Sequence, residues 1–475
     1  MIKAVQLALL TILFAYLIAN PAWADSQAES IDLSPHIEAN TLTRVTIDLD
    51  AGGNDVVRAA TDAQGADANN SAERKLPMSV SAKLQYDERR IVGTAGDVPQ
   101  NLSPLAIRYY NRAEGVLKVD TSGMSPKLAD DRRLIMVESG AARPNLYSPD
   151  GPLSREQLDL IDVTGNSCLV DRLLPAKTVA SGATWKNEAA VMGGLLTLDS
   201  VAVCEAQSVL DEFNASFAKI RLAGVVHGTA DGAATQREVR GVYLFDRRLR
   251  RVTRLNLAVR EMRSIGAATP GLQGVGKLQI KIDPISSSPQ LTDRIVAKAT
   301  RAGRTSPLNL VYKSAPLGFR AAYDRQWYIT SEGRETITMR RVDGSDVVAQ
   351  CTVTKLPSKS LGRQVPLDQF QKDVAYSLGK SFGQLVSSRQ WTNAAGHHCF
   401  EVVVRGTVEE LPVEWHYFLV APDSGHRISL AFMMEGSIAD RLNQADRRLV
   451  EAVELIQPPT QPAETAAQPA ETTTK

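Results

Sequence analysis

Apolar and polar residues alternate along much of this chain, and a period of two predicts strands with one buried face. From Thr41 to Leu49, the positions Leu42, Val45, Ile47 and Leu49 are set among polar neighbours. Similar runs lie at Met78 to Tyr86, Leu105 to Tyr110, Val116 to Asp120 and Arg133 to Glu138. Between the first two, Ala51 to Lys75 is rich in Gly, Asp, Asn and Ala and reads as a long flexible loop. Ser154 to Asp162 opens with a capping residue and reads as a short helix. Ala206 to Phe217 also reads as helical, because Val209, Leu210, Phe213 and Phe217 recur at helical spacing. Long strands follow at Ile220 to Val226, Arg237 to Phe245, Arg251 to Met262 and Leu278 to Ile282.

The pattern changes after about residue 286. Ser286 to Ser306 is polar, shows no strand period, and marks the domain boundary. Beyond it, strands are expected at Phe319 to Trp327, Thr336 to Arg341, Val347 to Thr354, Cys399 to Arg405, Glu414 to Val420 and Arg427 to Met433. Two helices are expected among them: Pro366 to Phe382, with Leu367, Phe370, Val374 and Leu378 on one side, and Ile438 to Val450. The predicted fold class is α+β, a large antiparallel sheet domain (25–285) followed, after a linker (286–306), by an α-β-α sandwich domain (307–457).

The two ends have other signatures. One lysine precedes an apolar run from Ala4 to Ala19, and Ala22-Trp23-Ala24 forms a cleavage site before Asp25. This is the layout of a secretory signal peptide (1–24), which places the mature chain in a periplasm or outside the cell. Asp25 to about Ala39 is polar and reads as loose, and no later stretch is apolar enough to span a bilayer. The last residues, 458–475, repeat QPAET and read as a disordered tail.

Composition narrows the function. Lys and Arg total 54 against 53 Asp and Glu in 475 residues, so no basic excess points to nucleic acid. With 6 His and 4 Cys there is little material for metal clusters, and no cofactor is expected. An exported chain favours disulfides, with Cys168 and Cys204 as one local pair and Cys351 and Cys399 as another; four cysteines allow three connectivities. The rival is metal binding by His397-His398-Cys399, but neighbours on a strand point to opposite faces.

Two resemblances bear on fold and role. Leu317-Gly318-Phe319 followed by Tyr323 and Trp327, then Trp415-His416-Tyr417-Phe418, Gly425 and Ile428-Ser429-Leu430, resemble the PsbP-like fold over about 316–454. That fold is an antiparallel sheet with helices on both sides, and its members mostly bind or support protein assemblies. Leu174-Pro175, Gly182-Ala183-Thr184-Trp185 and Val242 to Asp246 resemble a β-rich family of exported proteins from planctomycete-like bacteria. Such sheets are similar in outline to the half-barrel of LolA, which holds acyl chains under covering helices.

Candidate chemistry is sparse. Arg247, Arg248, Arg250, Arg251 and Arg254 form a candidate docking patch for an anionic lipid, polysaccharide or acidic partner. The rival reading is a solvated turn. His227 and Asp231 lie close in sequence, but no G-x-S-x-G elbow supplies a nucleophile. Asp130-Asp131, Asp211-Glu212 and Glu409-Glu410 read as solvated charge, and Gly271 to Gly276 precedes a strand rather than the helix a phosphate loop needs. No catalytic residue, cofactor site or metal site is assigned. The chain is expected to be a non-enzymatic binding or assembly protein of the cell envelope, with an envelope protein or an apolar ligand as partner. The alternatives are a carrier for a lipid or other apolar ligand, and an envelope hydrolase with a dispersed site.

Overall fold

A computed structural model describes residues 29–58, 73–91, 104–140, 142–301, 308–358 and 365–456. The segments read from sequence as a signal peptide and as a disordered tail lie outside the described residues. The chain is mostly β, with 56% strand and 15% helix, built from several antiparallel sheets, none of them closed. Among the described residues no helix is long and apolar enough to cross a membrane.

The largest sheet has 13 strands. Its main members are β1 (Leu42–Arg58), β2 (Glu73–Arg90), β3 (Pro104–Val119), β4 (Gln207–Phe213), β5 (Phe217–Ala230), β6 (Ala233–Asp246), β7 (Arg251–Arg263) and β8 (Gly271–Pro284). Their spatial order is β3-β2-β1-β8-β7-β6-β5-β4. Alternation decides the faces: Ile220, Leu222, Tyr243, Leu255, Leu278 and Ile280 point inward and are buried. Over them lie α1 (Arg155–Ile161) and α2 (Ala189–Leu195). Ser154 caps α1 in a reciprocal capping box with Gln157.

The second sheet has seven strands: β9 (Trp327–Glu332), β10 (Thr336–Asp343), β11 (Asp346–Leu356), β12 (Phe382–Thr392), β13 (His398–Val408), β14 (Leu411–Ala421) and β15 (Arg427–Glu435). Their order is β9-β10-β11-β15-β14-β13-β12. α3 (Asp293–Arg301) precedes this sheet, α4 (Leu367–Leu378) follows β11, and α5 (Ala445–Glu451) comes near the end. α4 packs Phe370 and Val374 on Phe400, Val402 and Trp415. Phe418, Phe432, Cys351 and Val450 belong to the main core, which runs without a break from the inner face of the first sheet to Trp327 and Phe319. A bridge of Leu153 to Leu310, and a hydrogen bond from Arg155 to the Arg325 carbonyl, tie the two parts.

Several expectations need correction. Ala206 to Phe217 is not a helix. Gln207–Phe213 is a strand with a bulge between Leu210 and Glu212, and the extra residue turns a period of two into an apparent period of three. The Gly/Asp-rich stretch after Leu49 continues as β1 to Arg58, and β2 begins at Glu73. It stays in the ladder because glycine lets strands approach closely: a Cβ on Gly53 would lie 2.2 Å from the Gln273 carbonyl oxygen. Within the stretch read as a linker, the described residues 286–301 hold α3, and Leu291 and Ala299 pack against Ile107, Met136 and Tyr147. Ile31, Leu33 and Ile37 are buried, so residues 29–39 of the segment read as loose are anchored, with Ser30–Asp32 paired to Thr178–Ala180. The helix expected from Ile438 is broken by left-handed Asn443 and Gln444 into a 3-10 stretch and α5.

Candidate functional site

The outer face of the first sheet is exposed where its inner face is packed. Antiparallel register places Gln207, Ala223, Arg240, Ala258 and Lys277 in one row across β4 to β8. A neighbouring row holds Val209, Arg221, Val242, Asn256 and Gln279. These residues line a groove of about 830 Å³. Small side chains make its floor. Gly224 is required there, since its φ is +155° and a Cβ would lie 2.4 Å from Ala206 Cα. Arg221 pairs with Asp211 at 2.9 Å and Arg240 with Glu238 at 2.8 Å. Lys277 is exposed and has no ion pair among the described residues.

Two clusters of charged side chains lie on the packed faces. In the first, Glu88 is wholly buried and takes Arg108 Nε at 2.9 Å and the Ser167 hydroxyl at 2.5 Å. Arg108 also donates to Asn166 at 2.6 Å and stacks over the Tyr86 ring. Arg90 stands between Glu88 and Asp171 at 3.7 and 3.9 Å, and Arg251 lies 3.7 Å from Asp171. Burial works to raise the Glu88 pKa, but Arg108, Arg90 and Ser167 outweigh it and bring it down to about 2. Burial pushes the Asp171 carboxyl and the neighbouring Cys168 thiol upward.

In the second cluster, His416 on β14 bonds Asp446 of α5 through Nδ1 at 2.6 Å and Glu414 through Nε2 at 2.8 Å. Burial tends to lower the His416 pKa, but the two carboxylates outweigh it and hold it above its ordinary value. Glu401, His416 and Asp446 bring donor atoms within 4.8 Å of one another, the spacing of a metal site. Those donors are already engaged: Arg389 and Arg447 hold Glu401, and both His416 nitrogens face carboxylates. The arrangement binds α5 to the sheet, and three arginines (Arg389, Arg405 and Arg447) oppose a cation there.

The structure separates most residues singled out from sequence. The five arginines do not form one patch. Arg251 is buried beside Asp171, Arg250 bonds Asp32 and the Ser34 carbonyl, Arg247 bonds the Asn214 carbonyl, and Arg254 lies against Asp283. Arg247 and Arg248 are left with exposed side chains and no ion pair among the described residues. All four cysteines are free, so neither expected disulfide is present. Cys351 on β11 and Cys399 on β13 are separated by β15 and β14, or about 14 Å at ordinary strand spacing, far beyond disulfide reach. Cys168 contacts Arg108 and Glu88, while Cys204 contacts the Asn187 carbonyl. His227 is exposed on β5 and Asp231 pairs with Arg263, so the two do not converge. Gly271 to Gly276 is strand β8. The His397 ring accepts the Leu455 N–H, its carbonyl accepts the Cys399 thiol, and His398 faces Asp423, so the three side chains do not converge.

Sequence reasoning missed Glu88, Arg90, Arg108, Glu401 and Asp446, and used His416 only as part of a hydrophobic layout. A signal was present. Glu88 and Arg90 continue the inward alternation of Ala82, Leu84 and Tyr86, and His416 is in phase with Phe418. A charge in phase with buried apolar positions needs a buried partner.

No known family matches the chain, and no curated protein matches it. Solved structures give weak likenesses. A protein from Bacteroides thetaiotaomicron is 10% identical over 31% of this chain and 48% of its own length, with a TM-score of 0.23. Cyanobacterial PsbP (CyanoP) from Synechocystis is 12% identical over 32% of this chain and 96% of its own, at 0.25. A protein of unknown function from Pseudomonas aeruginosa is 10% identical over 32% of this chain and 99% of its own, at 0.22. The likeness is a loose one of fold.

Proposed function

We propose that this chain is an exported, non-enzymatic binding or assembly protein of the cell envelope, working in the periplasm or outside the cell once residues 1–24 are removed. The observation that carries the reading is the uncovered outer face of β4 to β8 and its groove of about 830 Å³. A long sheet packed on one side and recessed on the other offers a rigid recognition surface. The helices support the finer fold reading: α4 sits on one face of the second sheet and α5 on the opposite face, as in an α-β-α sandwich of the PsbP-like kind. A carrier under the first sheet finds less support, because the space left between Ile47, Tyr86, Arg108 and Gly165 is only about 10 Å³.

The test is expression of the whole chain in a Gram-negative host, with a photo-crosslinking residue at Val242. The expected result is a mature chain starting at Asp25 in the envelope fraction, carrying adducts that a label on exposed Tyr376 does not give. Retention of the uncleaved chain in the cytoplasm, or equal adducts from both labels, would overturn the reading.

A further inference from the structure

We propose that the groove across β4 to β8 binds a linear acidic polysaccharide; the inference rests on the reading of this chain as an exported binding protein. Three cations, Arg221, Arg240 and Lys277, line the groove against the single acid Glu205. Arg240 and Lys277 stand in the same row with only the methyl group of Ala258 between them. Two strand spacings separate them, about 10 Å, and the hollow over Ala258 leaves room for one uncharged unit between two anionic ones. A chain that bears a carboxylate on alternate sugars matches that interval. Beyond Lys277 the row continues through Asp50 on β1 and Ser81 on β2.

The uncharged lining fits the same partner. Gln207, Asn256 and Gln279 border the groove, and their amides have no side-chain hydrogen bond among the described residues. An amide offers donors and an acceptor together, which is what a sugar hydroxyl requires. Other occupants fit less well. The groove crosses the middle of a sheet whose main-chain groups are already paired, so an added peptide strand finds no edge. No aromatic side chain lines it, so neither a proline-rich segment nor a stacked base has a platform. The existing partners of Arg221 and Arg240 are exposed surface pairs, which cost little to exchange for a bidentate carboxylate.

The experiment titrates the full mature chain with hyaluronate, whose carboxylates sit on alternate sugars, neutral dextran, polyglutamate and phosphatidylglycerol vesicles, at low and at physiological salt. Hyaluronate is expected to bind, weakening as salt rises, while dextran does not. The double variant Arg240→Glu/Lys277→Glu is expected to bind at least 10-fold more weakly with an unchanged melting temperature, and Arg248→Glu is expected to bind as wild type. Equal binding by the double variant, or stronger binding of polyglutamate or vesicles, overturns the inference. Adducts from Val242 that contain protein and no sugar overturn it too, yet leave the broader reading standing; failure of export removes the broader reading itself.

Discussion

The two charged clusters use the same device with different consequences. In both, a strand places a carboxylate at an inward position and arginines answer it. Around Glu88 everything is buried: Glu88 is 0% and Arg108 2% exposed. Arg251 Nε, Nη1 and Nη2, Arg90 Nε and Asp171 Oδ2 have no hydrogen bond among the described residues. Around Glu401 and His416 the carboxylates are buried but the cations reach solvent, with Arg389 47% and Arg447 37% exposed. The first cluster cannot replace a lost partner with water, whereas the second can. Burial of the cation therefore decides how much each pair matters.

The largest effect is expected at Arg108. Arg108→Met leaves Glu88 charged and buried with only Ser167 and the distant Arg90, and should cost about 3–5 kcal/mol in urea or thermal unfolding. Adding Glu88→Gln should recover part of that loss, because the stranded charge is gone. The wild type also has a pH signature. The folded Glu88 pKa, about 2, lies below its unfolded value of 4.5. Its contribution is therefore present above about 4.5 and is lost as pH falls toward 2. A double variant no more stable than Arg108→Met would show that the cluster is not a unit, and the contrast with His416 would collapse.

Why these clusters escaped the sequence pattern is instructive. The long strands from Ile220 to Ile282 were legible because apolar residues alternate without interruption and the hairpin turns at Asp231-Gly232 and Asp246 to Arg250 are polar. The strand at Gln207–Phe213 was not, because its bulge imitates helical spacing. Pairing across long separations is also invisible to local pattern: Glu88 meets Ser167 and Arg90 meets Asp171 only after the segment around α1 folds over the sheet. The same holds for the groove, whose rows are built by register between five strands rather than by any motif. The run Arg247 to Arg254 shows the reverse error: neighbours in sequence are sent by a turn and a strand to different faces.

A smaller effect separates the second cluster from the first by pH. The His416 pKa is raised above 6.5 in the folded chain by Asp446 and Glu414. The bridge between β14 and α5 should be fully present below about 6.5 and should weaken as pH rises through the folded value. Arg389, Arg405, Arg447 and Glu401 face the same site. Stability is expected to fall as pH goes from 6 to 9, and His416→Gln should flatten that slope while leaving the acid behaviour from Glu88 untouched. A variant with the wild-type slope would mean that His416 carries no linked proton and that the slope arises elsewhere in the chain.

The smallest expected effect is that of reduction, and it probes both regions at once. Cys168 lies within the first cluster, and Cys351 lies close enough to Asp446 for that charge to raise its pKa, although burial raises it more. Burial also pushes the Cys399 thiol up to about 12, so these buried thiols are poor nucleophiles even where an oxidising compartment surrounds them. Cys204, half-buried on the edge strand Ser200–Cys204, is the one expected to react first with a thiol reagent in the native chain. All four should react after denaturation, and reductant should change neither the mass nor the melting temperature. A gain of four hydrogens on reduction would require two bridges among cysteines that stand apart, and with the local pairing Cys351 would have to meet Cys399 across two intervening strands. The order β11-β15-β14-β13 would then be wrong, and with it the placement of His416 and Glu401 on which the comparison rests.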